Sequence, residues 1–307
     1  MKAVVLDTDD RFHLADLDEP APGPGELAIR VAYAGIQWGD VLVRDGHFPV
    51  PRPFVPGFEA AGEIIAVGQG VDETRIGTQV TALTSAGAFA EVVVAPAVLT
   101  FDVGDLDLRT AAAFGWAAPT AYDLTQVRSG DSVLIHAAAG GVGTLAVQYA
   151  KLAGAGRVVG VVGTPARGEY AARFGYDQVV LRGEFPDDHF DVILDPVGGP
   201  TRRANLERLA PHGRLVVYGN LATFEPVTVS ANDLLMSGAS LLTYNGNLLS
   251  QTHPARLADS ARQALRLLAD GHVQVDVTAE YDLAELGTAV QDLADGTTYG
   301  KSILRIT

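Results

Sequence analysis

Residues 133–151 read VLIHAAAGGVGTLAVQYAK. Val133, Leu134 and Ile135 are a short apolar run of the kind a buried strand shows, whereas Val142, Leu145, Tyr149 and Leu152 recur at the spacing of one helix face. The stretch therefore predicts a strand that passes through small residues and glycines into a helix. Such a junction presents backbone N–H groups at a helix N-terminus, where the helix dipole favours an anion. Against the dinucleotide pattern G-x-G-x-x-G the segment is Ala138-Ala139-Gly140-Gly141-Val142-Gly143, with alanine at the first glycine position. Gly140 would let the backbone approach a pyrophosphate, and Gly143 would let the helix pack against the strand. A tight turn with no ligand is the alternative reading of the same residues.

The next strand tests the first reading. A dinucleotide fold that holds NAD places an acid about 20 residues on, against the adenosine 2′-hydroxyl. No Asp or Glu occurs between Asp131 and Glu169; the segment VVGVVGTPARGEY instead puts Gly163 and Thr164 at the strand end with Arg167 close behind. A guanidinium is permanently charged and fork-shaped, which suits a 2′-phosphate, so NADPH is expected over NADH. The alternative for Arg167 is a solvated charge on a helix face.

Farther out, the texture of the chain changes. At 307 residues, 48% of them hydrophobic, two domains are expected. Residues 1–100 carry short alternating runs, such as ELAIRVAYAG and AFAEVVVAP, between turn signals. From about Leu108 helical segments alternate with the apolar runs DSVLIHA, RVVGVVG, DQVVL, FDVILDPVGG, GRLVVYGN and ASLLTYN, a pattern that indicates a parallel sheet covered on both faces. Residues 251–307 add an amphipathic helix near RLADSARQALRLLADG and a final strand near GKSILRIT. The net charge of −15 argues against a nucleic-acid or anionic-membrane partner. No stretch approaches the ~20 apolar residues of a membrane helix. The absence of cysteine removes disulfides and thiolate ligands and fits a reducing compartment, so a cytoplasmic location is expected.

The segments AGIQWGDVLVRDGHFP, PGFEAAGEIIAVGQGV, GAFAEVVVAP, HAAAGGVGTLAVQYAK, FDVILDPVGG, GRLVVYGN and YGKSILRI stand in a familiar order. In them the chain resembles, nearly end to end, the zinc-independent, zeta-crystallin-like quinone oxidoreductases of the medium-chain dehydrogenase/reductase superfamily. The resemblance implies an α/β protein with a GroES-like β-rich catalytic domain over residues 1–110 and a Rossmann NADP-binding domain over 111–245. A C-terminal segment, 246–307, would return to the catalytic domain, and NADPH would lie in the cleft between the domains. Position by position, it places the pyrophosphate against Gly140, Gly141 and Val142, and the 2′-phosphate near Gly163, Thr164 and Arg167, with Arg182 added. Thr120, Gly219, Asn220, Tyr244, Asn245 and Lys301 match further cofactor-lining segments. Similar members pair as homodimers, and the apolar ASLLTYN run is the expected edge.

Departures bear on the chemistry. The family's Val-Asn-x-x-Asp is here Ile36-Gln37-Trp38-Gly39-Asp40, which keeps an amide but lengthens its reach. A common Gly-x-Tyr-Pro is Gly46-His47-Phe48-Pro49, without the phenolic hydroxyl, and Gly-His-Glu is Gly57-Phe58-Glu59. Trp38, Asp40, Phe48 and Trp116 are the candidate substrate-pocket residues. The seven histidines form no spaced ligand group and cysteine is absent, so no metal site is expected. Glu59 and Asp40 read as structural carboxylates, paired or capping, and His136 as a packed strand residue. With no evident acid–base pair, the expected reaction is hydride delivery to an electron-poor quinone or conjugated carbonyl, with Gln37 donating to the developing oxyanion. Two alternatives stay open: an enone or enoyl-thioester reductase, and an NADPH-binding protein without turnover.

Overall fold

Short alternating runs near the N-terminus form β1 (Lys2–Leu6), β2 (Phe12–Asp16) and β3 (Glu26–Ile36). In β3, Leu27, Ala28, Ile29 and Val31 are buried while Arg30 faces out, so the alternation of a half-buried strand holds from Ile29 to Val31 and is lost before it. Then follow α1 (Trp38–Arg44), β4 (Glu59–Val67), β5 (Gln79–Leu83), β6 (Val92–Pro96), β7 (Thr100–Asp102), α2 (Leu108–Phe114) and α3 (Ala117–Leu124). The structure is a computed structural model that describes residues 1–184 and 188–307. Its chain divides into two compact units, Met1–Pro119 with Asn247–Thr307, and Thr120–Gly246.

The second unit is built from β8 (Ser132–His136), α4 (Gly141–Leu152), β9 (Arg157–Val162), α5 (Pro165–Ala172), β10 (Gln178–Leu181), β11 (Phe190–Asp195), α6 (Gly199–Glu207), β12 (Leu209–Val217), α7 (Ala231–Ser237) and β13 (Ser240–Thr243). Among the described residues six of these strands form one sheet, in the order β10-β9-β8-β11-β12-β13, and every pair is parallel. This is the doubly wound Rossmann order. Its crossovers reverse direction between β8 and β11, leaving a crevice at their carboxyl ends. Leu134, Val159, Phe190, Ile193 and Leu215 fill the sheet's core. Each such side chain contributes roughly 1.5–3 kcal/mol on burial.

The C-terminal region supplies α8 (Gly246–Thr252), α9 (Pro254–Ala269), β14 (Val277–Asp282), α10 (Leu286–Ala294) and β15 (Lys301–Arg305). Leu257, Ala261, Ala264, Leu265 and Leu268 make one buried face of α9, which accounts for its amphipathic sequence. β15 pairs antiparallel with β3 and parallel with β14, completing the sheet β14-β15-β3-β4-β5-β7 of the first unit, with β6 also on β3. Leu286, Ala289 and Val290 of α10 join Leu27, Ile29, Ile64 and Phe89 in its core.

Candidate functional site

At the end of β8 the chain turns at Ala137, whose φ of +53° is left-handed, and Gly140 caps α4 in extended backbone. The sequence pattern assigns the tight turn to its first glycine position, which is Ala138 here, but the strained conformation falls one residue earlier, on Ala137. Gly140, Gly141 and Val142 are half-buried at the helix N-terminus, with no side chain capping it. A Cβ on Gly140 would stand 3.3 Å from the Ala137 carbonyl oxygen, and one on Gly143 would stand 2.5 Å from the same atom and 2.8 Å from Ala138 Cα. Gly143 is therefore required for the helix to sit on the turn. The uncapped N–H groups around Gly140 could hold an anion.

Beside this turn, Thr164 caps α5, its hydroxyl oxygen accepting from the Arg167 N–H at 3.4 Å, with Pro165 in the first turn. The Arg182 N–H donates to the Val162 carbonyl at 2.8 Å, and its Nη2 lies 3.8 Å from where a Gly163 Cβ would stand. Gly163, Thr164, Arg167 and Arg182 thus gather at the end of β9. Gly163, Thr164 and Arg182 are exposed and Arg167 is half-buried.

The ends of β11 and β12 carry residues that sequence reading missed. Asp195 is fully buried and bonds to Arg202 of α6, which also reaches Gly219 and Asn220. An Asp that directly follows the apolar residues Val192-Ile193-Leu194 at the end of β11 is the signal that could have found it. His136 is buried, its Nε2 lies 2.8 Å from Asn205 Oδ1, and burial holds its pKa below the ordinary imidazole value. The Tyr244 N–H donates to the Val217 carbonyl at 2.9 Å, bringing Tyr244 and Asn245 to the same carboxyl edge. Thr120 stands in α3 at the start of this unit.

In the first unit a buried polar cluster surrounds Glu59. Its carboxylate pairs with the Lys301 ammonium and accepts the Trp116 N–H at 2.5 Å, while Lys301 Nζ also donates to the Ile36 carbonyl at 3.1 Å. A Cβ on Gly35 or Gly115 would lie 2.1 or 1.9 Å from a Glu59 oxygen, so only glycine fits at either place. Trp116 Nε1 donates to the Phe58 carbonyl at 2.8 Å. Asp40, at the third position of α1, accepts the Gln37 N–H at 2.8 Å. Its other oxygen is buried without a partner. Burial pushes the Asp40 carboxyl up to about 8; the Gln37 N–H and Lys301 pull it down and Glu59 pushes it further up. Asp40 is therefore mainly the neutral acid at pH 7.

Trp38 packs on the sheet core, Gln37 is half-buried with its amide over Gly39, and Phe48 is 41% exposed beyond α1. Lys301, expected along the cofactor, commits its ammonium to Glu59 and Ile36. The Glu59–Lys301 pair spans 242 residues of sequence, and no local pattern signals it. Among the described residues no group of three or more His, Cys, Asp or Glu could hold a metal ion. None of their helices is long and apolar enough to cross a membrane.

Known proteins resemble this chain in sequence and fold. Residues 23–105 match the family described as alcohol dehydrogenase GroES-like domain, and residues 141–269 match zinc-binding dehydrogenase. A quinone oxidoreductase of Pseudomonas aeruginosa is 32% identical over 94% of this chain and 94% of its own. The solved Escherichia coli quinone oxidoreductase complexed with NADPH is 26% identical, covers 100% of both chains and superposes with a TM-score of 0.91. Phthioceranic/hydroxyphthioceranic acid synthase of Mycobacterium tuberculosis is 30% identical over 96% of this chain, which spans only 15% of that protein's length. The zinc-binding family carries a metal in its description, yet this chain has no cysteine, and where the resembled pattern has Gly-His-Glu it has Gly57-Phe58-Glu59. The two family matches, the strand order of the second unit and near-complete coverage by quinone oxidoreductases converge on one assignment: the chain belongs to the quinone oxidoreductase-like branch of the medium-chain dehydrogenase/reductase superfamily.

Proposed function

We propose that the chain is an NADPH-dependent oxidoreductase that reduces a quinone or related conjugated carbonyl without zinc. The observation that carries this is the end of β9, where Thr164, Arg167 and Arg182 meet around Gly163 and no acid competes for a ribose hydroxyl. Two guanidinium groups and a hydroxyl suit a 2′-phosphate. The cradle at Gly140, Gly141 and Val142 fits a pyrophosphate, because a Cβ at Gly140 would crowd the turn. Gly219, Asn220, Tyr244, Asn245 and Thr120 complete the cofactor residues we assign to the second unit.

NADPH, when bound, supplies the hydride. The chain binds and orients it, and on the first unit we assign Gln37 to donate to the acceptor's developing oxyanion, with Trp38, Asp40, Phe48 and Trp116 as pocket residues. Titration should show NADPH binding far more tightly than NADH, and Arg167→Ala with Arg182→Ala should erase the difference. Equal affinity of the unmutated protein for both cofactors would overturn the reading. A panel of quinones, enones and enoyl thioesters, compared by kcat/KM, then fixes the acceptor.

Enoyl-thioester reduction is the second reading, and a higher kcat/KM for a thioester would select it. Saturable NADPH binding with no oxidation across the panel would instead indicate a binding protein without turnover. Among the described residues β13 pairs on one side only, with β12, and Leu242, Leu235 and Met236 nearby in sequence are exposed. Such an edge suits pairing with its copy across a two-fold axis. Light scattering should therefore give twice the 32.2 kDa of one chain.

A further inference from the structure

Arg202 joins two loops that have no sequence contiguity. Its Nε donates to Asp195 Oδ2 at 3.0 Å, one terminal nitrogen to the Gly219 carbonyl at 2.7 Å, and the other to Asn220 Oδ1 at 3.1 Å. Asp195 is fully buried, and its second oxygen accepts the N–H groups of Val197 at 2.6 Å and Gly198 at 3.1 Å. One carboxylate thus fixes both the loop after β11 and the guanidinium that fixes the loop after β12. Backbone bonds from Leu221 to Pro196 (2.8 Å) and from Ala222 to Val197 (3.0 Å) zip the loops together. Gly198 has φ +87°, and a Cβ there would stand 3.0 Å from the Thr223 carbonyl and 3.2 Å from Asn220 Oδ1.

A guanidinium carries donors only, so the oxygen of the Asn220 amide must face Arg202. Its NH2 group must then face away. Asn220 is half-buried, and Arg202 is its only side-chain hydrogen-bond partner among the described residues. It stands beyond the end of β12, on the sheet edge that carries the β8–α4 turn and the crevice at the switch point. We propose that Arg202, anchored by Asp195, is a positioning residue that locks Asn220 as a hydrogen-bond donor to an acceptor oxygen of the bound dinucleotide. This rests on the NADPH reading given above, and adds to it the polarity of one contact and the residues that set it.

A purely structural role, in which Asn220 only receives Arg202, makes a different prediction for Asn220→Asp. That carboxylate still accepts from Arg202, so folding stability should be kept or raised, but it has no hydrogen to donate. NADPH affinity should fall about tenfold to a hundredfold, the range for losing one hydrogen bond to a charged or strongly polar acceptor. Arg202→Lys keeps the charge opposite Asp195 but cannot form the fork, and it should weaken NADPH binding with kcat less affected than KM. In the double variant the two losses should be far from additive, because the second change removes a donor the first has already released.

The measurements are NADPH titrations by cofactor fluorescence and thermal unfolding on the full chain, for the unmutated protein, both single variants and the double. Unchanged affinity in Asn220→Asp overturns the donor role, and additive losses overturn positioning through Asn220. Failure of the unmutated protein to bind NADPH overturns the cofactor reading itself, and the inference with it. Each result is separable from the others.

Discussion

The β8–α4 turn and the Glu59 cluster both depend on glycines that leave no room for a Cβ, yet they solve opposite problems. At the turn, Gly143 clears space for a helix and Gly140 leaves N–H groups reachable, within one contiguous stretch of sequence. In the cluster, Gly35 and Gly115 clear space for a carboxylate whose partner is 242 residues away. The turn works through backbone atoms, so its sensitivity is steric. The cluster works through buried charges, so removing one member strands another. Backbone function survives most distant substitutions, whereas the buried ion pair couples four separate segments of the first unit, at Ile36, Glu59, Trp116 and Lys301.

The largest effect should follow from stranding Glu59. Lys301→Met leaves a fully buried carboxylate with only the Trp116 N–H, and loss of one partner of such a pair costs about 3–5 kcal/mol. Adding Glu59→Gln should recover much of that loss, since the remaining partner then faces a neutral acceptor. Urea denaturation of the single and double variants measures both. A single-variant loss below about 1 kcal/mol, the range of exposed pairs, would show that the cluster behaves like a surface contact.

Asp40 sharpens the same side of the comparison through pH. Its folded pKa of about 8 lies above the model-peptide value of 3.8, so between those values the folded chain holds a proton that the unfolded chain has released. Stability from this group therefore falls as pH rises through the window and levels off above about 8. Asn at this position does not titrate. The unfolding free energy of Asp40→Asn, relative to the unmutated protein, should rise by up to about 1.4 kcal/mol per pH unit between pH 5 and 7. A difference independent of pH would mean that Asp40 stays ionised, and that Lys301 and the Gln37 N–H outweigh burial.

What could be read from the sequence follows the same division. The strands from β8 to β13, the helix α9 and the final β15 announce themselves by period, because each buries a continuous face. The short α1 does not: it has seven residues, lies inside a β-rich stretch, and begins at Gln37 rather than at a favoured cap residue. β14 stays hidden because none of its residues is fully buried. The glycines at 140, 141 and 143 could be read because a backbone requirement is local. Glu59 could be read as a paired carboxylate, but its partner could not be named. Asp195 and Arg202 look like ordinary charges until the sheet brings the β11 and β12 loops together.

On the turn side, Gly143→Ala should have the larger effect. The added methyl would stand 2.5 Å from the Ala137 oxygen and within 2.9 Å of the Ala138 backbone, so α4 must lift from the turn. Overpacking of this kind costs about 1–3 kcal/mol, and it displaces the N–H groups proposed to hold the pyrophosphate. NADPH titration should show the larger proportional loss, with chemical denaturation showing the smaller one. Intact NADPH affinity in a folded Gly143→Ala protein would detach this turn from the cofactor.

Ala137 offers the smallest effect and the opposite sign. It sits at φ +53°, where the Cβ crowds the following carbonyl at a cost of about 1–2 kcal/mol for a non-glycine residue. Its side chain is only half-buried, so Ala137→Gly gives up little packing. Glycine loses more freedom on folding, which offsets roughly 0.5–1 kcal/mol of the relief. The net expectation is a gain of up to about 1 kcal/mol, read as a higher urea midpoint at unchanged slope. NADPH affinity should stay constant, because the turn keeps the Ala137 carbonyl that accepts the Gly140 N–H at 2.9 Å. A lower midpoint would show that the alanine methyl does more in packing than its backbone costs in strain, and that the turn, like the cluster, depends on a side chain.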